Sequence, residues 1–424
     1  MDENAVREVA ILFGINGFQY SGTEFESTWS EFVELTKAAG ATPAAQVIQM
    51  RSTPDPAFFL GSGKADELKM MVRENFAELI ISMQGLSPVQ VRNLEDLTGV
   101  RVLDRTDLIL DIFAQRAKTK EGKLQVELAQ LSYILPRLSG GLGRDLSRLG
   151  GGIGTRGPGE SKLEVDRRRV RDRIADLRSE LKTIELHRKV QRQRREKNAI
   201  PTVALVGYTN AGKSTLFNRL TNAGVSSEGR LFDTLDPVSR RIPISDQNEI
   251  VLMDTVGFIR ALPHQLVAAF KATLEETVRA TMLIHVLDGG SPEIMEQYLA
   301  VREVLSELNI SNKEIITVLN KSDLIGSDPV LNRLCTEWSA MAISALTGTG
   351  VDDLLNEIKN RLKKTVQVVR LLIPFAEARH LDLLHRKARV LEEEFAPEGI
   401  KLLVEIEQSL MSQYQAFLQE GAQC

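Results

Sequence analysis

Eight consecutive residues constrain this chain more than any other part of it. Gly207-Tyr208-Thr209-Asn210-Ala211-Gly212-Lys213-Ser214, with Thr215 behind them, directly follows the apolar run Val203-Ala204-Leu205-Val206 and precedes an amphipathic segment. A buried strand, a glycine loop and a helix in that order belong to an open α/β sheet. The glycines let backbone N–H groups turn inward on a phosphate, and the helix start adds its positive dipole end. In this pattern Lys213 reaches the β- and γ-phosphates and the Ser214 hydroxyl ligates Mg²⁺.

Three further strings follow in a fixed order. Asp254-Thr255-Val256-Gly257 ends the strand pattern Ile250 to Met253. An Asp there suits Mg²⁺ through water, and the Gly257 N–H can touch a γ-phosphate because no side chain intervenes. Between the two motifs lie Phe232, Asp233 and Thr234, with Thr234 placed to close over the Mg²⁺. Asn320-Lys321-Ser322-Asp323 follows the strand pattern Ile315 to Leu319. The Asp323 carboxylate would accept from the ring N–H and exocyclic amine of guanine, and would meet an acceptor nitrogen on adenine. Ser344-Ala345-Leu346 suits backbone contact with the guanine oxygen. Together the strings predict a site that binds GTP or GDP and hydrolyses GTP, with Lys213, Thr234 and Gly257 at the reaction and Ser214 and Thr234 on the metal. A nucleoside or metabolite kinase with the same phosphate loop is disfavoured by Asp323 and by the lack of a base for an acceptor substrate.

With 424 residues the chain exceeds one ordinary hydrophobic core. Short apolar runs alternate with amphipathic segments from Val9 to Leu103, predicting an open α/β domain over residues 1–105. Leu124, Leu128, Leu131, Leu135 and Leu138, then Val170, Ile174, Leu177, Leu181 and Ile184, recur at helical spacing. Each set makes one apolar seam, so residues 106–198 are read as an antiparallel helical hairpin. Its connection, 139–159, holds nine glycines with Arg144, Arg148 and Arg156. A loop of that length is functional or disordered. The second arm, 162–198, carries 14 Lys or Arg against 7 Asp or Glu, although the whole chain is at −4. Positive charge is thus concentrated where RNA phosphates could be met, although a solvated helix face would read the same way. Residues 199–364 form the nucleotide-binding α/β domain with a mostly parallel sheet. Residues 365–424 read as a small α+β module with a strand at Val366 to Ile373, a helix around Leu381 to Glu394 and a strand at Ile400 to Ile406.

Cys335 and Cys424 offer neither a disulfide framework nor metal-ligand spacing, and the acidic opening lacks the basic region of a secretory signal. No apolar stretch approaches the ~20 residues that span a bilayer. A cytoplasmic setting follows, with no stable membrane insertion and room for weak peripheral association at most.

The motif order looks like a translation-factor-class GTPase, and the flanking residues resemble the HflX family. These are Gly151-Gly152-Ile153-Gly154-Thr155-Arg156-Gly157-Pro158-Gly159-Glu160, Asp104-Arg105-Thr106, Glu121-Gly122-Lys123-Leu124, and Gly257-Phe258-Ile259-Arg260 with Leu262-Pro263-His264. The resemblance implies a monomeric GTPase that engages ribosomal RNA of the large subunit through its N-terminal domain and hairpin, and splits or rescues stalled ribosomes. Ser161-Lys162, Asp233 and Val238-Ser239 depart from the family's usual residues without touching the GTP motifs. Phe258 stands where Ras-like enzymes place a water-orienting Gln, which predicts slow intrinsic hydrolysis stimulated by the ribosome. Asn210 resembles the loop Asn of GTPases that use K⁺ as a charge-neutralising element. Leu60-Gly61-Ser62-Gly63-Lys64 reads as a turn with a helix start. Family links to ATP through the N-terminal domain leave an ATP-dependent RNA-remodelling reading open beside the GTPase one.

Overall fold

The computed structural model describes residues 8–140, 162–196, 200–221, 232, 238–245, 248–260, 277–308, 310, 313–325, 329–377, 379–407, 411 and 413–419. Strands buried on both faces read as unbroken apolar runs, and in the first, parallel sheet the two central strands do so while the two edge strands are partly exposed. It contains β1 (Val9–Asn16), β2 (Thr42–Met50), β3 (Leu79–Ser82) and β4 (Arg101–Asp104), in the order β2-β1-β3-β4. The crossovers are α1 (Gly22–Ala38), α2 (Ser62–Glu74) and α3 (Pro88–Thr98). α1 buries one stripe through Phe25, Trp29 and Phe32.

Asp104 ends β4 and caps α4 (Arg105–Arg116), accepting from the N–H groups of Thr106 and Asp107 in a reciprocal capping box. Its second oxygen takes the Tyr133 hydroxyl at 2.5 Å and the Arg137 guanidinium at 2.6 Å. Arg137 also reaches Asp107 at 3.0 Å. Burial first, and then the neighbouring Asp104, push the Asp107 carboxyl up to about 8 against the pull of Arg137. This cluster fixes the foot of the helical hairpin to the first sheet.

The hairpin consists of α5 (Lys120–Ile134), a 3₁₀ turn at Leu135–Gly140, and α6 (Lys162–Glu196). Leu124, Leu131 and Leu138 face Val170, Ile174 and Leu177, with Leu128, Leu181 and Ile184 beside them. The expectation of one seam per helix holds for α6 and fails for α5. Val126 and Ala129, on a second face of α5, join α1 and α4 in another core, because α5 is wedged between its partner and the N-terminal sheet. Arg173 grips Glu127 across the hairpin with bonds of 2.7 and 2.9 Å. The glycine-rich loop lies outside the described residues apart from its first two positions.

The second sheet carries the motifs. It comprises β5 (Thr202–Gly207), β6 (Val238–Ser245), β7 (Asn248–Asp254), β8 (Met282–Asp288), β9 (Glu314–Asn320) and β10 (Met341–Ala342), ordered β10-β9-β8-β5-β7-β6. Only β6 runs antiparallel to its neighbour. The helix α7 (Lys213–Thr221) follows β5, and the described residues of this domain also form helices at Ile294–Glu307, Pro329–Glu337 and Val351–Thr365. The carboxyl ends of β5, β7 and β9 release Gly207, Asp254 and Asn320 along one edge, which is where open α/β sheets bind ligands.

The third sheet is antiparallel, with β11 (Val366–Ile373), β12 (Arg389–Ala396) and β13 (Gly399–Glu407) in the order β11-β13-β12. The helix expected at Leu381 to Glu394 spans Arg379–Lys387, and Arg389 onward is strand. The Glu392 to Glu394 run has high helix propensity, but pairing with β13 across the Pro397-Glu398-Gly399 turn overrides it. Among the described residues no helix is long and apolar enough to cross a membrane.

Leu177 is 0% exposed in the hairpin seam and Leu186, on the same helix, is 58% exposed. Leu177→Ala should lower the opening free energy of the α5 and α6 amides by about 3 kcal/mol, whereas Leu186→Ala should change it by under about 0.5 kcal/mol. Native-state hydrogen exchange reads both, and equal effects would mean the seam does not hold the hairpin.

Candidate GTP-binding site

The loop after β5 is tight enough to exclude most side chains. Gly212 has φ +93°, and a Cβ there would lie 2.1 Å from Asn320 Nδ2. Asn210 also takes a left-handed conformation, at φ 62°. Lys213 is buried, and its ammonium donates to the carbonyls of Gly207 at 3.0 Å and Tyr208 at 2.7 Å. Burial pulls its pKa down to about 8, partly opposed by the charge of Asp254. The Ser214 hydroxyl donates to Asp254 Oδ2 at 2.7 Å. Thr215 follows on α7, with the Thr209 side chain buried in the loop.

Asp254-Thr255-Val256-Gly257 is zipped onto this loop by backbone. Thr209 N donates to Phe258 O at 2.8 Å, and Phe258 N donates to Gly207 O at 3.1 Å. Thr255 Oγ1 donates to Leu205 O at 2.5 Å, which ties the same segment to β5. A Cβ on Gly257 would lie 2.8 Å from Thr209 Cγ2 and 3.1 Å from Lys213 Nζ, so only glycine brings its backbone this close. The Phe258 ring is buried in the core with Ala204, Val206, Met253 and Val301. It therefore packs the sheet and leaves no polar group at its own position.

The base-side motifs form one hydrogen-bonded unit. Asn320 donates from Nδ2 to Ala211 O at 2.9 Å and accepts at Oδ1 from Ala345 N at 2.9 Å, joining the phosphate loop to the loop after β10. Ser344 Oγ donates to Asp323 Oδ1 and accepts from Thr347 N. Lys321, at φ 63°, reaches Asp288 with Nζ at 2.7 Å. Leu346 is exposed beside them. Of the remaining residues expected at the site, Val256 and Phe232 face an apolar cluster instead, the Phe232 ring meeting Phe113 edge-on at 4.7 Å. Asp233 and Thr234 lie outside the described residues.

The fold builds against the phosphate loop a polar bridge that no local motif announces. The Tyr208 hydroxyl donates to Glu31 of α1 and accepts from Arg260 N at 2.9 Å. Arg105 holds Glu31 at 2.6 Å and the Arg260 carbonyl at 3.0 Å, and Arg260 reaches Ser27 at 3.0 Å and Glu293 at 3.2 Å. Burial and the Glu31 charge push the Tyr208 hydroxyl well above its usual pKa, so it stays protonated as the donor. Arg105 lies in Asp104-Arg105-Thr106 and Arg260 in Gly257-Phe258-Ile259-Arg260, but their partners are up to 233 positions away in sequence. No local signal pairs them.

A family model described as "GTP-binding GTPase N-terminal" matches residues 26–114, one described as "GTP-binding GTPase Middle Region" matches residues 116–195, and one described as "50S ribosome-binding GTPase" matches residues 202–321. A protein of Caldanaerobacter subterraneus subsp. tengcongensis named GTPase HflX is 49% identical over 94% of this chain and 91% of its own length. The Escherichia coli K12 protein of the same name is 44% identical over 92% of each chain. Among solved structures, a GTP-binding protein from Sulfolobus solfataricus in complex with GDP is 29% identical, with a TM-score of 0.45, over 84% of this chain and 99% of that one.

A phosphate contact requires Lys213 to be charged, yet burial pulls its ammonium pKa down to about 8. Its proton is lost as pH rises through that value, so GDP affinity should fall about tenfold between pH 7 and pH 9. Isothermal titration across that range checks it; a flat profile would mean that Lys213 remains fully charged before nucleotide binds.

Proposed function

Because this chain belongs to the HflX family of GTPases and hydrolyses GTP, we propose that it is a GTP-regulated factor that binds the large ribosomal subunit, alone or within the 70S ribosome, and acts in ribosome splitting or rescue. The observation that carries this reading is the union, in one chain, of a guanine-nucleotide site with a helical hairpin whose second arm bears the chain's concentrated positive charge. RNA phosphates attract such an arm through counterion release. The description "50S ribosome-binding GTPase" for residues 202–321 supports the same partner.

In this mechanism backbone N–H groups of the Gly207 to Ser214 loop cradle the phosphates, and Lys213 leaves its two carbonyl partners for the β- and γ-phosphate oxygens. The Gly257 N–H meets the γ-phosphate, and its loss on hydrolysis frees the segment beyond it. Ser214 Oγ and Asp254 Oδ2, 2.7 Å apart, offer the hard oxygen donors that suit Mg²⁺. Ser214 and Thr234 would ligate the ion directly and Asp254 through water. Bound there, Mg²⁺ would neutralise charge developing on the phosphates. Asp323, held by Ser344, accepts from the guanine edge, with Asn320 and Lys321 shaping the pocket around it.

Hydrolysis by the free protein is slow in this reading, since the Phe258 ring is committed to the core and cannot orient a water. The large subunit accelerates it by ordering the groups around the γ-phosphate. GTP turnover measured with and without large subunits should rise at least about tenfold on their addition, below the ~10³-fold or more that a supplied arginine achieves. Equal rates would overturn the activation. Sedimentation should show subunit binding with a GTP analogue and weaker binding with GDP. Replacing K⁺ by Na⁺ at constant ionic strength should slow turnover through loss of a cation beside Asn210; an unchanged rate removes that element.

A further inference from the structure

The side of the site that faces the base leaves one donor unused. Four successive N–H groups follow Ser344, and three are bound within the protein. Ala345 N goes to Asn320 Oδ1, Thr347 N to Ser344 Oγ and Gly348 N to Ser344 O. The Leu346 N–H has no acceptor among the described residues. Its peptide is nevertheless held, from the opposite side. The carbonyl of that same peptide, Ala345 O, accepts from Arg219 Nε at 3.2 Å, and the next carbonyl, Leu346 O, accepts from Arg219 Nη2.

We propose that Arg219 is a positioning residue for guanine recognition, aiming the Leu346 N–H at the guanine O6 by holding the peptide carbonyls behind it. In a trans peptide the C=O and N–H point in opposite directions. A guanidinium fixed on the carbonyl side therefore sets the direction of the N–H on the other side. Its planar fork spans two carbonyls at once, which a single ammonium could not do with the same rigidity. The positive charge also polarises the Ala345–Leu346 peptide, making its N–H a stronger donor. Arg219 stands near the end of α7, the helix that begins with Lys213. One short helix thus serves the phosphates at its first turn and the base loop near its last.

The inference rests on assigning Ser344 to Leu346 to the guanine end, and 6-thio-GDP separates the two. It matches GDP at the edge Asp323 would bind and carries sulfur, a weak acceptor, in place of O6. Wild-type protein should prefer GDP over 6-thio-GDP; absence of that preference would overturn the loop assignment itself. In Arg219→Gln, GDP affinity should fall about fivefold while 6-thio-GDP affinity falls less than about twofold, because only the oxygen exploits the aimed donor. Arg219→Lys should fall between. Equal losses for both nucleotides would show a general defect of α7, and unchanged GDP affinity would show that the loop holds itself. Either result overturns the role of Arg219.

Discussion

Lys213 is a buried cation, and the proposed phosphate end of the site is arranged around that fact. Its ammonium is satisfied by two backbone carbonyls, Gly207 and Tyr208, rather than by a carboxylate partner. A carboxylate would compete with phosphate, whereas neutral carbonyls lower the cost of burial and still release the charge to a stronger anion. Those carbonyls must then be held in place from behind. The backbone pair between Thr209 and Phe258 holds one side, and the Asn320 side chain holds the other through Ala211.

The same loop reaches outward as well. Tyr208 turns its carbonyl toward Lys213 and its ring toward the N-terminal domain, where its hydroxyl meets Glu31 and the Arg260 backbone. The apolar surroundings of this bridge mix residues of α1, α4 and α5 with Val256, Ile259 and Phe232. A shift of the Asp254 to Arg260 segment cannot leave that interface unaltered, since packed interiors respond by discrete rearrangement rather than smooth deformation. The hairpin shares this core through Val126 and Ala129 of α5, so the nucleotide site and the basic arm are joined by contiguous packing.

Much of the fold was legible because its signals are local. The apolar runs at Val9, Leu79 and Val203 are strands that a parallel sheet buries on both faces, and the Leu and Ile seams of the hairpin have a period that only a helix reproduces. The motif strings were legible for the same reason: a glycine that must be glycine, such as Gly212, leaves its mark at one position. The failures were places where distant pairing outweighs local preference. Glu392 to Glu394 favour helix and lie in a strand because β13 is beside them. The second buried face of α5 was invisible because its partners come from helices elsewhere in the chain.

The α/β class and the residues that line the edge of the second sheet follow from local sequence, since each depends on spacing, apolar period or the absence of a side chain. Tertiary structure decided what holds those residues in place. That Phe258 packs inward, that Arg105 and Arg260 meet around Tyr208, that Asn320 joins two loops and that Arg219 sits behind the Ala345–Leu346 peptide are all contacts across long sequence separations. Such contacts form when the sheet and its layers bring remote segments together, and residue type at one position carries no record of which remote partner it will meet.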